Sequence, residues 1–224
     1  MKIIFTVITG NYDNPKPIRI KNPAFRYVCI TDDMTIDGGD WELMPIEALN
    51  PPKGLSPVRL QRWAKIIGAI QHFQCETIYL DGNYEIRSDI GMILGVMHAD
   101  LGNGDIMRLD NMILKKHPIR ECYIDEGIAC IKLKKAHPDS IRKQIREYEA
   151  EGLGIGGGMY ETGVLIRNYT SDVIRFCKLW WKEIEKHTHR DQLSIMKALK
   201  DSSISFGTMT PGYFNEYVTL HKHT

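Results

Sequence analysis

The chain has 224 residues, 29 Lys+Arg against 28 Asp+Glu, a net charge of +1 and 43% hydrophobic residues. That length and apolar content predict one globular domain over residues 1–224 with a buried core, and exclude a disordered chain. The even charge balance gives no domain-wide basic field, so no nucleic-acid partner is expected.

Met1 to Ile8 is a short apolar run with one lysine, too brief for a signal-peptide core or a bilayer span, and it predicts a buried strand ending at Thr9-Gly10-Asn11. Arg26 to Thr31 predicts a second strand, ending at Asp32-Asp33. From Ser56 the apolar residues Val58, Leu60, Trp63, Ile66, Ile67, Ile70 and Phe73 recur at helical spacing, with Pro57 suited to the first helical position. Thr77 to Leu80 predicts a third strand that stops at Asp81-Gly82-Asn83. Strand, helix, strand in that order implies an α/β sheet. Further along, the pattern predicts a strand at Ile106 to Leu109, a polar helix from Asp139 to Ala150 and a strand at Met159 to Arg167. Helices are expected over Asp172 to Lys186 and from Asp191, and a last strand at Ile204 to Phe206. Of Trp180 and Trp181, one is expected in the core and one on the surface. Five cysteines, odd in number and without a C-x-x-C pair, argue against a disulfide framework and for a reducing, cytoplasmic setting. Cys122 and Cys130 with His117 and His137 match no common zinc spacing.

Several short patterns carry chemistry. Gly152, Gly154 and Gly157 satisfy G-x-G-x-x-G, but they follow a helix and precede a strand, the reverse of what a dinucleotide loop needs. Asp81 and Asn83 set oxygens at alternate positions after a buried strand, where they could share a divalent cation that grips a diphosphate; a plain strand-to-turn transition uses the same residues. Arg59, Arg62 and Lys65 share one helix face and suit phosphate oxygens, or simply water. Asp191 is placed as a helix cap or as a carboxylate beside a sugar's reactive carbon. Glu161 is a solvent-facing strand residue or a base over an acceptor hydroxyl. His221 and His223 belong to a frayed end, or fold back so that one imidazole completes coordination begun by Asp81.

Taken in order, Thr9-Gly10-Asn11-Tyr12-Asp13, Ile78 to Asn83, Lys116 to Cys122 with Asp125-Glu126 and Ala129-Cys130, Glu161-Thr162 with Ile166-Arg167, and Arg190 to Ser194 resemble the landmarks of a glycosyltransferase-like family. That family was long filed as domain of unknown function 616 and includes plant proteins linked to mucilage polysaccharide synthesis. The resemblance covers nearly the whole chain. It implies a single-domain α/β/α sandwich of the GT-A kind with a mixed, mostly parallel central sheet, and an activity that moves a hexose from a nucleoside diphosphate sugar, a uridine one above all, to a glycan or other hydroxyl acceptor. By the same similarity Thr9, Gly10, Tyr12 and Asp32 line the nucleotide pocket, and Arg62 and Lys65 lie near phosphate. Asp81, Asn83 and a terminal histidine, His221 or His223, surround Mn²⁺ or Mg²⁺. Asp191 and Gln192 resemble the Asp-Gln pair of family 8 retaining transferases and are the catalytic candidates: Glu161 or Asp191 is the expected base if the reaction inverts, and Gln192 or Asp191 backs the oxocarbenium-like centre if it retains. Asn83 departs from the usual Asp-x-Asp and lowers the charge offered to a metal. His117, Arg120 and Glu126 are candidates for shaping the donor or acceptor pocket, or for a buried polar network. A non-catalytic nucleotide- or glycan-binding module of the same fold, and a lipid amidase, are the rival expectations.

Overall fold

The computed structural model describes residues 2–93 and 111–222. The strand expected at Ile106 to Leu109 lies outside these residues, as does His223. A seven-stranded sheet organises the chain in the order β3-β2-β1-β4-β7-β6-β8, with β1 Lys2–Ile8, β2 Phe25–Thr31, β3 Glu42–Pro45, β4 Thr77–Leu80, β6 Met112–Lys116, β7 Tyr160–Arg167 and β8 Gly207–Met209. Only β7 runs against its neighbours β4 and β6, while β1 pairs with β2 and β4, β2 with β3, and β6 with β8 in parallel. The carboxyl ends of β1, β2, β4 and β6 and the start of β7 therefore meet at one edge, where an open α/β sheet binds ligands.

Alternation along the strands sorts the core into two layers. Ile3, Phe5, Val7, Val28, Ile30, Tyr79 and Leu165 pack on the helices of one face. These helices are α1 Pro57–Trp63, α2 Ala69–Phe73, α5 Ser171–Lys186 and α6 Asp191–Ser202. Ile4, Ile8, Cys29, Ile78, Leu80, Val164 and Ile166 pack on the other face against Trp41, Tyr84, Ile86 and Phe214. That layer contains a two-stranded antiparallel sheet, β5 Tyr84–Ile86 with β9 Val218–Leu220, and the short helix α7 Pro211–Asn215. A satellite cluster joins α3 Tyr123–Lys132 and α4 Pro138–Ala150 through Tyr123, Ile141 and Tyr148 to Leu193 of α6.

The single helix expected from Ser56 is interrupted by a π turn, Ala64–Gly68. The guanidinium of the fully buried Arg167, at the end of β7, donates to the carbonyls of Lys65 (2.8 Å) and Ile66 (2.7 Å). A side chain seated against the helical ladder is a recognised cause of such a turn. Gly68 belongs to the same arrangement, because a Cβ there would lie 2.7 Å from the Trp63 ring.

Three expectations are corrected. Trp180 and Trp181 are both buried, since α5 packs on α6 and on the π turn at once. The last strand of the main sheet is Gly207–Met209, not Ile204 to Phe206: Ser203 takes a left-handed turn at φ 52° and Ile204 is spent on the core. The chain up to residue 222 is no frayed end, because β9 pairs with β5.

Candidate active site

The cleft lies at the carboxyl edge of β1 and β4 and encloses about 490 Å³, lined by Thr9, Gly10, Tyr12, Arg62, Asp81 and Arg190 among others. At the tip of β1, Gly10 has φ 63° and its N–H donates to both carboxylate oxygens of Asp32 at 3.0 Å. The Thr9 hydroxyl donates to the Pro57 carbonyl at 2.7 Å, which ties this tip to the start of α1. A Cβ on Gly10 would sit 3.0 Å from the Pro57 side chain, so the close approach needs glycine. Asp32 thus shapes the loop from behind, while Tyr12 is exposed in the cleft.

Behind the cleft wall lies a buried ion network. Lys65 Nζ is 2.5 Å from Asp191 Oδ2 and 3.5 Å from Asp81 Oδ1, and Arg62 Nε is 3.3 Å from Asp191 Oδ1. The Lys65 ammonium also lies 4.8 Å from the centre of the Tyr79 ring, whose hydroxyl donates to Asp81 at 2.5 Å and accepts from Gln61 at 2.8 Å. Asp191 is 2% exposed and Lys65 1%. Burial alone would push Asp191 up, but Arg62, Lys65 and Arg190 hold its carboxyl far below the usual carboxylate range. Burial, reinforced by the Asp81 charge, pushes the Tyr79 phenol well up, so it stays a neutral donor. Through Lys65 the tip of β4 and the first residue of α6, 110 residues apart in sequence, belong to one site.

A second network begins one residue later. Gln192 donates to Glu126 at 2.9 Å and its side-chain oxygen accepts from the Thr162 N–H at 3.4 Å. Glu126, almost fully buried, also accepts from Arg120 and from the Cys130 thiol (3.1 Å), and Arg190 lies 3.9 Å away. His117 Nδ1 accepts from the Ile119 and Arg120 N–H groups. Beside this network Glu161 is held by Lys115 at 2.6 Å across β7 and β6.

A family model described as "TOD1/MUCI70, glycosyltransferase-like domain" matches residues 75–223, well over half of the chain. The chain belongs to this TOD1/MUCI70 family. A solved structure, the WbbM bifunctional glycosyltransferase in its apo form, superposes with a TM-score of 0.51 at 11% identity, covering 92% of this chain and 38% of that one. At that identity the likeness speaks for the fold alone, and the chain spans well under half of WbbM. No curated protein matches the chain. The fold expected from the family resemblance, a GT-A-like α/β/α sandwich with a mostly parallel sheet, is the fold observed.

The residues named for this family from sequence fall into three groups. Thr9, Gly10, Tyr12, Arg62 and Asp81 line the cleft. Lys65, Asp191, Gln192, Asp32 and Glu161 stand behind or beside it. Asn83 and His221 lie together, for the Asn83 side-chain N–H donates to the His221 carbonyl (2.8 Å) and the His221 N–H to the Asn83 carbonyl (2.9 Å). The chain end does fold back on the Asp81 turn, yet its imidazole goes to Glu85 at 2.7 Å, and Glu85 also takes Arg19 at 2.6 Å. The divalent cation implied by the family therefore meets a poor donor set. Asp81 is engaged by Tyr79 and Lys65, Asn83 turns its N–H₂ to a carbonyl, and His221 is paired elsewhere. Among the described residues no group of three or more His, Cys, Asp or Glu side chains converges as a metal site, and the residues present do not fit the ion.

Asp191 is not the helix cap; Arg190 holds that position, and Asp191 is the first helical residue with its Oδ1 on the Gln192 N–H at 3.0 Å. Arg59 does not join Arg62 at the cleft but donates to the Ile184 and His187 carbonyls at the end of α5. Sequence reasoning passed over Lys134 and Lys135, which reach the cleft from the turn after α3, and Gly163, where a Cβ would come within 3.0 Å of the Asp81 carboxylate. Two adjacent lysines after a helix carry no signal of a site by themselves. A larger, more open groove of about 650 Å³ follows α5 from Tyr169 to Lys182, at the edge where β7 ends, away from every group above.

Proposed function

We propose that this chain transfers a hexosyl group from a nucleoside diphosphate sugar to a hydroxyl of a glycan or related acceptor. The observation that carries this reading is the Asp81–Lys65–Asp191 chain of contacts, which links the end of β4 to the start of α6 beside a cleft of nucleotide size. In the reaction the bond from the anomeric carbon to the diphosphate breaks and a bond to the acceptor oxygen forms. Arg62 and Arg190 stabilise the charge that gathers on the departing diphosphate.

Asp191 has both carboxylate oxygens within reach of cations, so it acts as a positioning residue for Lys65 and Arg62 and as a fixed negative charge behind the developing oxocarbenium-like centre. Gln192 has its N–H₂ anchored on Glu126 and its oxygen only loosely engaged, which leaves that oxygen for the sugar. In an inverting course the acceptor proton goes to Glu161, which is paired with Lys115; in a retaining course it goes to the departing phosphate. The anomeric configuration of the product distinguishes the two.

The test incubates the purified protein with a panel of nucleotide sugars, recording free nucleotide and thermal shift. Release of nucleotide, lost in Asp191→Ala and Gln192→Ala, supports the reading; no response to any nucleotide overturns it. The complete engagement of Asp191 favours one second reading, a nucleotide-binding module without turnover, which stabilisation without release would establish. No helix of the described residues is long and apolar enough to cross a membrane.

A further inference from the structure

We infer that this site neutralises the donor's diphosphate with its own side chains and binds it without a divalent cation. The inference rests on the nucleotide-sugar reading above and assigns Lys134 and Lys135, with Arg62 and Arg190, as the diphosphate subsite. Four permanent cations line the cleft, Arg62, Lys134, Lys135 and Arg190. The two carboxylates on the same wall are already compensated, Asp13 by Lys16 at 2.8 Å and Asp81 by Lys65 at 3.5 Å. Lys65 sits between Asp81 and Asp191, and it is buried and clamped by the Tyr79 ring. A divalent ion brought to Asp81 would be repelled by the ammonium already beside that carboxylate. A diphosphate meets the opposite sign.

The lysines are set in place by backbone. After α3 the Lys134 N–H closes on the Ile131 carbonyl (3.1 Å) and the Lys135 N–H on the Cys130 carbonyl (2.9 Å), which turns both side chains to the cleft mouth. Both residues are exposed, and among the described residues no acidic partner is found for either ammonium. Arg190 stands at the start of α6 between the cleft and Glu126, and Arg62 between the cleft and Asp191. His189, pushed below its usual range by burial and by the neighbouring Arg190 and Arg62, is neutral at pH 7 and can accept or donate without adding charge.

The experiment is a calorimetric titration of uridine diphosphate into the full chain, in EDTA and again in Mn²⁺. It is repeated with Lys134→Gln/Lys135→Gln and with Lys178→Gln, a control of like chemistry on the exposed side of α5, after circular dichroism has checked each fold. The expected result is an affinity equal within about twofold in EDTA and Mn²⁺, weakened about tenfold in the double variant and unchanged in the control. Binding that appears only with Mn²⁺ overturns the inference and leaves the donor reading standing. Equal binding in the double variant overturns the assignment of the lysines. No binding to the wild-type chain in either buffer overturns the donor reading itself.

Discussion

Asp191 and Gln192 are adjacent in sequence yet anchor networks of opposite character. Around Asp191 everything is closed: its partners Lys65 and Arg62 have side chains 1% and 16% exposed, and both carboxylate oxygens are taken. Around Gln192 the ring is looser, with Arg120 and Arg190 at 26% and 21% and one weak contact on the amide oxygen. A closed network fixes geometry and a looser one has bonding capacity left for a ligand. The first is the frame that holds the end of β4 against the start of α6, and the second is the part we propose for contact with sugar.

Breaking the frame has the largest effect. Asp191→Ala leaves the Lys65 ammonium buried without its nearest carboxylate, and urea unfolding should register a loss of about 3–5 kcal/mol. A loss below about 1 kcal/mol would mean the network is far more hydrated than its geometry implies. The same residue sets the acid response. Its folded-state carboxyl is depressed, so its contribution is complete above the unfolded value near pH 4 and is lost as pH falls through that value toward the folded one. Thermal melting followed from pH 7 to pH 3 should therefore hold level and then drop below about pH 5, and Asp191→Asn should flatten the drop. An unchanged acid limb in the variant would place the titrating group elsewhere.

Glu126→Ala removes the acceptor shared by Arg120, Cys130 and Gln192. It should cost about 2–3 kcal/mol, less than the frame because Arg120 and Arg190 can reach water. Activity should fall through KM for the donor as Gln192 loses its anchor, and a fall in kcat alone would contradict the assignment of this network to sugar binding. The smallest effect belongs to the chain end. His221→Ala breaks a partly exposed pair with Glu85 and should cost about 0.5–1 kcal/mol while nucleotide affinity is kept; a loss of nucleotide affinity in this variant would return the imidazole to the binding site.

The pattern of what the sequence revealed follows from range. β1, β2, β4, α5 and the cleft tips at Thr9-Gly10 and Asp81 announce themselves by local alternation, helical spacing and turn residues. Lys65 reads only as a phosphate candidate or solvated helix charge, and its burial is not legible until Asp191, 126 positions later, is folded onto it. Glu126 was visible as a polar candidate but not as the hub joining α3 to α6. The π turn could not be read at all, since its cause is Arg167 arriving from another strand. His221 shows the converse: the chain end was expected at the Asp81 turn and comes there, but a carboxylate two residues beyond Asn83 takes its ring.

Whether the end of β4 and the start of α6 enclose one diphosphate site can be seen in a crystal structure of the chain with uridine diphosphate. Phosphate oxygens should lie within hydrogen-bond reach of Arg62 and Arg190, over the tips of β1 and β4. Nucleotide density in the groove along α5, with the cleft between Gly10 and Arg190 left to water, would contradict this placement.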